Sequence, residues 1–415
     1  MLQARMLEGR RALDLTDEKG FLGGKILADL GVDVIKLERP GGDPSRNKGP
    51  FWHNLPDPQK SLYWLAYNNN KKGITLDITS RQGQDIFKSL AKKIDFVLES
   101  FQPGYMDSIG LGYSTLSQIN PGIIMVSISY FGQAGPYRDY VGSDMIAMAM
   151  SGLLYQTGEP DRPPVNISVP QACMHAGADA AVGAMIAYYH RQATGKGQQV
   201  DISLQQSVAY FLANAIPFWE LRKIILQRSG QYRSGVSTTT LQRQVWQCQD
   251  GYIFFLLIPG KTGGKAYKAL LEWMKSEGMS DPEAEKIDWV NMDMATITQK
   301  TVDTITFPIQ RFFLTHTKKE ILEQALARSI SLCPLSSMGE LLDDSHLKAR
   351  QFWTDIKHDE LDSSLIYPRE FVKSSEESCE TRFRAPLAGE HNRAIYQEVG
   401  ISEEQLVMLK QAGII

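Results

Sequence analysis

At 415 residues, with 43% hydrophobic residues, 22% charged residues and a net charge of −3, the sequence has the makeup of an ordinary soluble protein of two or three domains. That balance supplies no basic field for nucleic acid, and no run of about 18 apolar residues is present to span a bilayer. Cys173, Cys248, Cys333 and Cys379 form no CxxC or Cys/His ligand spacing and the N-terminus lacks the apolar stretch of a signal peptide, so we expect a cytoplasmic protein without disulfides or a metal.

In chain order, GRRALDLTD (9–17) reads as a short strand, GFLGGKILADLG (20–31) as a helix stopped by Gly31, and VDVIKLERP (32–40) as a buried strand ending in charge. DITSRQGQDIFKSLAKKI (77–94) opens on a Thr/Ser cap and carries a helical apolar stripe; DFVLES (95–100) and GIIMVSISYFG (122–132) are strands. A helix of small residues over about 171–192 closes at TGKGQ (194–198), and QQVDISL (198–204) is one more strand. Strands alternating with helices predict an α/β domain, a parallel sheet covered by helices, with ligand chemistry at the carboxyl ends of the strands. From about 205 the character changes. A helix is expected over 211–230, a β-hairpin over 241–258 with Asp250-Gly251 at its turn, and helices over 261–329, together a smaller α+β domain. The tail from about 340 reads as a helix, strands near 366–385 and a last helix over 402–412.

Several long stretches occur in order: LADLGVDVIKLERPGGDP, YNNNKKGITLDI, ESFQPGYMDSIGLGYSTLSQINPGIIMVSISYFGQAGPY, MSGLLYQTGEPDRPP, HRQATGKGQQVDISL and, near the C-terminus, APLAGEHN. Together they resemble the family III CoA-transferases, the formyl-CoA and carnitine CoA-transferase type, related to the α-methylacyl-CoA racemases. The resemblance implies a Rossmann-like large domain built from both chain ends, here 1–205 and 336–415, a small domain over 206–335, and an interlocked dimer. It implies coenzyme A and acyl-CoA as substrates and no metal. It also implies a reaction in which an aspartate attacks a thioester, passes through an anhydride and an enzyme-bound CoA thioester, and delivers CoA to a free acid.

The resemblance places that aspartate at position 173, which is Cys173. A thiol acylated by a thioester gives only another thioester and cannot hand CoA to an unactivated acid. Three readings of Cys173 stand open: a small buried packing residue, a vestigial site, or a reactive thiol whose pKa is lowered by a helix N-terminus. Asp179, over one and a half turns further on, points off that position. Asp144 matches a family acid that organises hydrogen bonds around the reacting carboxylates; equally, it reads as a helix N-terminal acid. Ser143 stands where the racemases carry a histidine, which argues against racemase chemistry, and His175 reads as a hydrogen-bonded structural residue before it reads as a base.

For CoA, the resemblance assigns Arg39 to a phosphate, Leu76 and Thr79 to the adenine slot, and Ser100, Phe101 and Gln102 to the side of the nucleotide. Against this, Arg39 also reads as a strand-end charge and Phe101 as core. Ser100 and Ser108 replace a common asparagine and arginine, and the nearest candidate for a glycine-rich lid is RSGVSTTT (233–240). Some family members pair two related subunits of which one can carry the aspartate; succinyl-CoA:benzylsuccinate CoA-transferase is a two-subunit example. The chain is therefore expected to be the non-catalytic subunit beside a homologous Asp-bearing partner, with succinyl-CoA a candidate donor. The alternatives are a homodimeric stand-alone enzyme using a displaced carboxylate, a lyase or isomerase, or a CoA-binding protein.

Overall fold

The computed structural model describes residues 5–232, 240–292 and 297–415. They form two compact units: Met1–Leu153, Ile167–Ala213 and Ser345–Ile415 in the first, Leu154–Asn166 and Asn214–Asp344 in the second.

The first unit is built on six parallel strands: β1 (Arg11–Leu15), β2 (Asp33–Glu38), β3 (Lys72–Thr75), β4 (Phe96–Glu99), β5 (Ile124–Ser129) and β6 (Gln199–Ser203). Their order is β3-β2-β1-β4-β5-β6, the doubly wound order whose direction reverses between β1 and β4. Strands β4 and β5 are buried at every position, which is why they read as continuous apolar runs without alternation. Strand β3 has no counterpart among the expected strands: KGIT offers four residues, one a lysine and one a glycine.

Around the sheet lie α1 (Phe21–Asp29), α2 (Leu62–Tyr67), α3 (Arg81–Ala91), α4 (Tyr105–Ser108), α5 (Tyr113–Ile119), α6 (Asp144–Met150), α7 (Gln171–Thr194) and α8 (Leu204–Phe211). The expected Ser cap is present: Ser80 Oγ accepts from Gly83 N at 3.1 Å at the start of α3. Helix α7 is rich in small residues because it crosses α1 backbone to backbone. A Cβ on Gly177 would lie 2.9 Å from Leu22 Cβ and 3.2 Å from Gly23 N, and one on Gly23 would lie 2.9 Å from Gly177 O. The C-terminal segment completes this unit, since Tyr396 OH donates to Thr75 O at 2.5 Å across the end of β3.

Within β1, Asp14 is a buried charge. Lys71 Nζ lies 2.8 Å from its carboxylate and Lys36 Nζ 3.6 Å, while Thr16 N donates to it at 2.9 Å. Burial pushes this carboxyl up, but the two lysines outweigh that and hold it at about 2. The triad thereby pins the exit of β1, and with it the Asp17-Glu18-Lys19 turn that leads into α1.

The second unit carries an antiparallel sheet of β7 (Val245–Cys248), β8 (Gly251–Phe255) and β9 (Leu332–Pro334) in that order. Helices Lys261–Ser276, Gln299–Phe313 and Lys318–Ala327 enclose Trp246, Phe255, Trp273, Phe312 and Phe313 in its core.

Three local expectations are corrected. The helix expected over 211–230 is two: α8 ends at Phe211, and a second, Ala215–Arg222, begins after a break and stops at Lys223 with φ 54°. Pro217 sits in the first turn of the second helix, where its missing N–H is tolerated but its ring blocks a continuous helix from upstream. The hairpin turn is Gln249-Asp250, with Gly251 the first residue of β8. The tail strands lie earlier than 366–385, as the antiparallel pair β10 (Trp353–His358) and β11 (Ser363–Pro368). Residues 374–378, SSEES, are poor strand formers, and no strand follows Pro368 among the described residues.

Candidate functional site

At the carboxyl ends of β1 to β4, beside the point where the strand order reverses, opens a pocket of about 350 Å³. Arg39, Leu76, Thr79, Ser100 and Phe101 line it, five of the six residues assigned to CoA from sequence. The sixth, Gln102, lines an adjoining cavity of about 50 Å³ that shares Ser100 and Phe101 and adds Lys19, Tyr130 and Arg138.

Each position follows from local structure. Arg39 is the first residue after β2. Its neighbour Glu38 is neutralised by Arg46, whose Nε and Nη2 donate to the carboxylate at 2.7 and 2.8 Å, and by Asp43 N at 2.8 Å. Arg39 itself forms no ion pair among the described residues and donates only to Gly42 O at 3.3 Å, so its exposed guanidinium is free for an anion. Leu76 is a buried apolar floor, and Thr79 is held by Asp77, whose Oδ1 accepts from Thr79 N at 2.9 Å and from its Oγ1 at 2.6 Å.

On the opposite side, Ser100 Oγ donates to Asp17 Oδ1 at 2.9 Å and accepts from Asp17 N at 2.8 Å, locking the end of β4 to the β1–α1 turn. Phe101 packs against Tyr105 with ring centroids 4.8 Å apart and touches the core while also lining the pocket. Phe101 N donates to Glu99 Oε2 at 2.8 Å. Burial pushes the Glu99 carboxyl up to about 7 despite hydrogen bonds from Ser127 and Phe101.

Lys19 was missed by sequence reasoning. It is nearly buried, paired with Asp17 and stacked 5.2 Å above the Tyr130 ring. The signal was present in DEK, three charges directly following a buried strand.

The α1–α7 crossing sets the mouth of α7 beside this turn. Helix α7 has Pro170 at its N-cap and no side-chain cap of its own; Asp144, at the start of α6, supplies one, its Oδ1 accepting from Cys173 N at 2.9 Å. Asp144 thus takes part in a hydrogen bond at the position in question while also standing at a helix N-terminus. Cys173 is 2% exposed. Burial, then the carboxylates of Asp144 and Glu18, push its thiol far above the ordinary range, the reverse of what the α7 N-terminus alone would do. Tyr63, Tyr67 and Tyr130 lie within electrostatic reach of the thiol. His175 packs on Phe211 with ring centroids 4.1 Å apart. Residues 233–239 of the lid candidate lie outside the described residues.

The pocket brings together the free Arg39 guanidinium, an apolar wall and the polar turn at Asp17, while Cys173 lines neither of the two cavities. Among the described residues there is no cluster of three metal-ligating side chains and no helix long and apolar enough to cross a membrane.

Comparison with known proteins gives a consistent result. The model of "CoA-transferase family III" matches residues 7–392. The chain is 34% identical to the succinyl-CoA:(R)-benzylsuccinate CoA-transferase subunit BbsE of Thauera aromatica, over 98% of this chain and 97% of that one. It is 29% identical to the succinyl-CoA–L-malate CoA-transferase beta subunit of Chloroflexus aurantiacus, over 94% and 93%. A crystal structure of a CAIB/BAIF family protein from Brucella suis superposes with a TM-score of 0.81 at 26% identity, covering 96% of this chain and all of that one.

Proposed function

The chain belongs to CoA-transferase family III, and on that footing we propose that it is the non-nucleophilic subunit of a two-subunit, succinyl-CoA-dependent CoA-transferase. The observation that carries this reading is the buried, protonated thiol of Cys173 where the family nucleophile is expected. A carboxylate attacking a thioester expels CoA thiolate and forms an anhydride; the thiolate then attacks the aspartyl carbonyl, releasing the acid and retaining the thioester. A neutral thiol starts no such sequence, and the Asp144 carboxylate is already engaged by Cys173 N. The nucleophile is therefore assigned to an aspartate of a homologous partner subunit, and the pocket at Arg39, Leu76 and Phe101 to binding of the CoA nucleotide.

Two further observations support the reading. Some relatives with succinyl-CoA in their names, the benzylsuccinate and L-malate CoA-transferase chains, are named as subunits. Helix α7 also presents Val182, Ile186 and Tyr189, 57, 64 and 81% exposed at a spacing of i, i+4 and i+7, an apolar stripe suited to a subunit contact such as the interlocked dimer implied by resemblance.

Reconstitution tests the proposal. The purified chain alone is expected to transfer no CoA from succinyl-CoA, the complex with an Asp-bearing homologue to be active, and Cys173→Ala in that complex to keep kcat within about threefold. Turnover by the chain alone, or collapse of activity in Cys173→Ala while the complex still assembles, would overturn it.

A further inference from the structure

At the opposite end of the sheet from the CoA pocket lies a cavity of about 710 Å³, bordered by the approaches to β1 and β2 and by the first residue of β3. Strands of this length separate the two sites by roughly 15–20 Å. Arg5 and Arg382 both line it. Arg382 Nη2 donates to Ala28 O at 3.0 Å, but its Nε and Nη1 are buried and have no partner among the described residues. A guanidinium left with unpaired, desolvated donors is costly, and an oxyanion that accepts from either of them would relieve that cost.

The acids nearest to Arg382 are already committed. Asp29 accepts from Asn70 Nδ2 at 2.6 Å and pairs with Lys25 at 2.7 Å, and Glu380 pairs with Arg369 at 2.9 Å. Lys72 and Arg384 on the same wall are likewise taken, by Asp33 and Glu390, each at 2.7 Å. Arg5 forms no ion pair among the described residues, and its aliphatic stem lies against Gly31, where a Cβ would come within 2.5 Å of Arg5 Cβ. Burial and then the charge of Arg5 depress the Arg382 pKa, and the carboxylates of Asp29 and Glu380 only partly oppose them. Glu8 and Asp355 also line the cavity, which suits a compact anion better than a polyanion.

We propose that this cavity binds a small oxyanion, a phosphate or a carboxylate, between the guanidinium groups of Arg382 and Arg5. The inference is independent of the transferase reading, because none of these groups lines the CoA pocket.

Thermal unfolding and calorimetric titration of the whole chain at fixed ionic strength, with inorganic phosphate in one series and succinate in another, test it. A saturable rise in Tm that is retained in Arg39→Gln and lost in Arg382→Gln and Arg5→Gln is expected. Response to phosphate alone identifies a phosphoryl ligand, to succinate alone a carboxylate, and to both an oxyanion in general. Without added anion, Arg382→Gln should melt no lower than the parent, since it removes an unpaired buried charge. Equal shifts in all variants, loss of the shift only in Arg39→Gln, or no saturable response to either anion would overturn the proposal.

Discussion

Cys173 is the third residue of α7, and its surroundings decide its chemistry. The Asp144 carboxylate meets its backbone N–H, and the carboxylates of Asp144, Glu18 and Asp17 all disfavour a thiolate there. The folded protein should therefore resist alkylation of Cys173 by iodoacetamide at mildly alkaline pH and react fully once denatured; rapid modification of the native chain would contradict a neutral thiol. Replacing Asp144 by Ala removes the only side-chain cap found on α7 among the described residues and should cost about 1 kcal/mol in urea unfolding, with no change in stability contradicting the cap. That a cysteine stands where the resemblance expects an aspartate is visible in the sequence. The carboxylates around it were not, because Asp17 and Glu18 reach it only through the fold.

Between elements, the crossing of α1 and α7 positions the site, and it depends on two glycines. Gly177→Ala brings a methyl against Leu22 and the Gly23 backbone, and overpacking of this kind costs about 1–3 kcal/mol. Gly183→Ala, whose Cβ meets only the Val200 and Ile202 side chains, should cost less; equal effects would show that the crossing is not the tight point. At the end of β4, Glu99 links the sheet to the Ser100-Phe101 turn that lines the pocket beside Arg39. Its folded pKa, about 7, lies above the ordinary 4.5, so across that window the folded chain holds a proton that the unfolded chain has released. Stability contributed by this group is full below about pH 4.5 and is lost as pH rises through about 7. Urea unfolding at about pH 5 and about pH 8 should show that fall in the parent and a flatter profile in Glu99→Gln; parallel profiles would contradict it. Element type was readable wherever burial was uniform or the stripe was long, as in β4, β5 and α3. It failed at β3, too short to show a pattern, and at β10–β11, where half-exposed strands carry Asp, Lys and Ser on their open face.

In the first unit as a whole, the order β3-β2-β1-β4-β5-β6 gathers residues from four separate stretches of sequence into one crevice. The sequence alternation announced the parallel sheet, and the resemblance chose the CoA residues; neither showed Lys19 beside Gln102, nor the cavity at the amino end. If the crevice holds the CoA nucleotide, Arg39→Gln should weaken binding of CoA about tenfold, the loss of one charge-assisted phosphate contact, and should do so less for dephospho-CoA if the 3′-phosphate is its partner. Unchanged affinity for both would remove Arg39 from the site. The most direct test of the central claim, that this chain binds CoA but does not supply the nucleophile, is to trap the intermediate. The chain is co-purified with an Asp-bearing homologue, turned over with succinyl-CoA, quenched with hydroxylamine or borohydride, and mapped by mass spectrometry. Modification confined to an aspartate of the partner subunit is the predicted result; an adduct on Cys173, Asp144 or Asp179 would contradict the account.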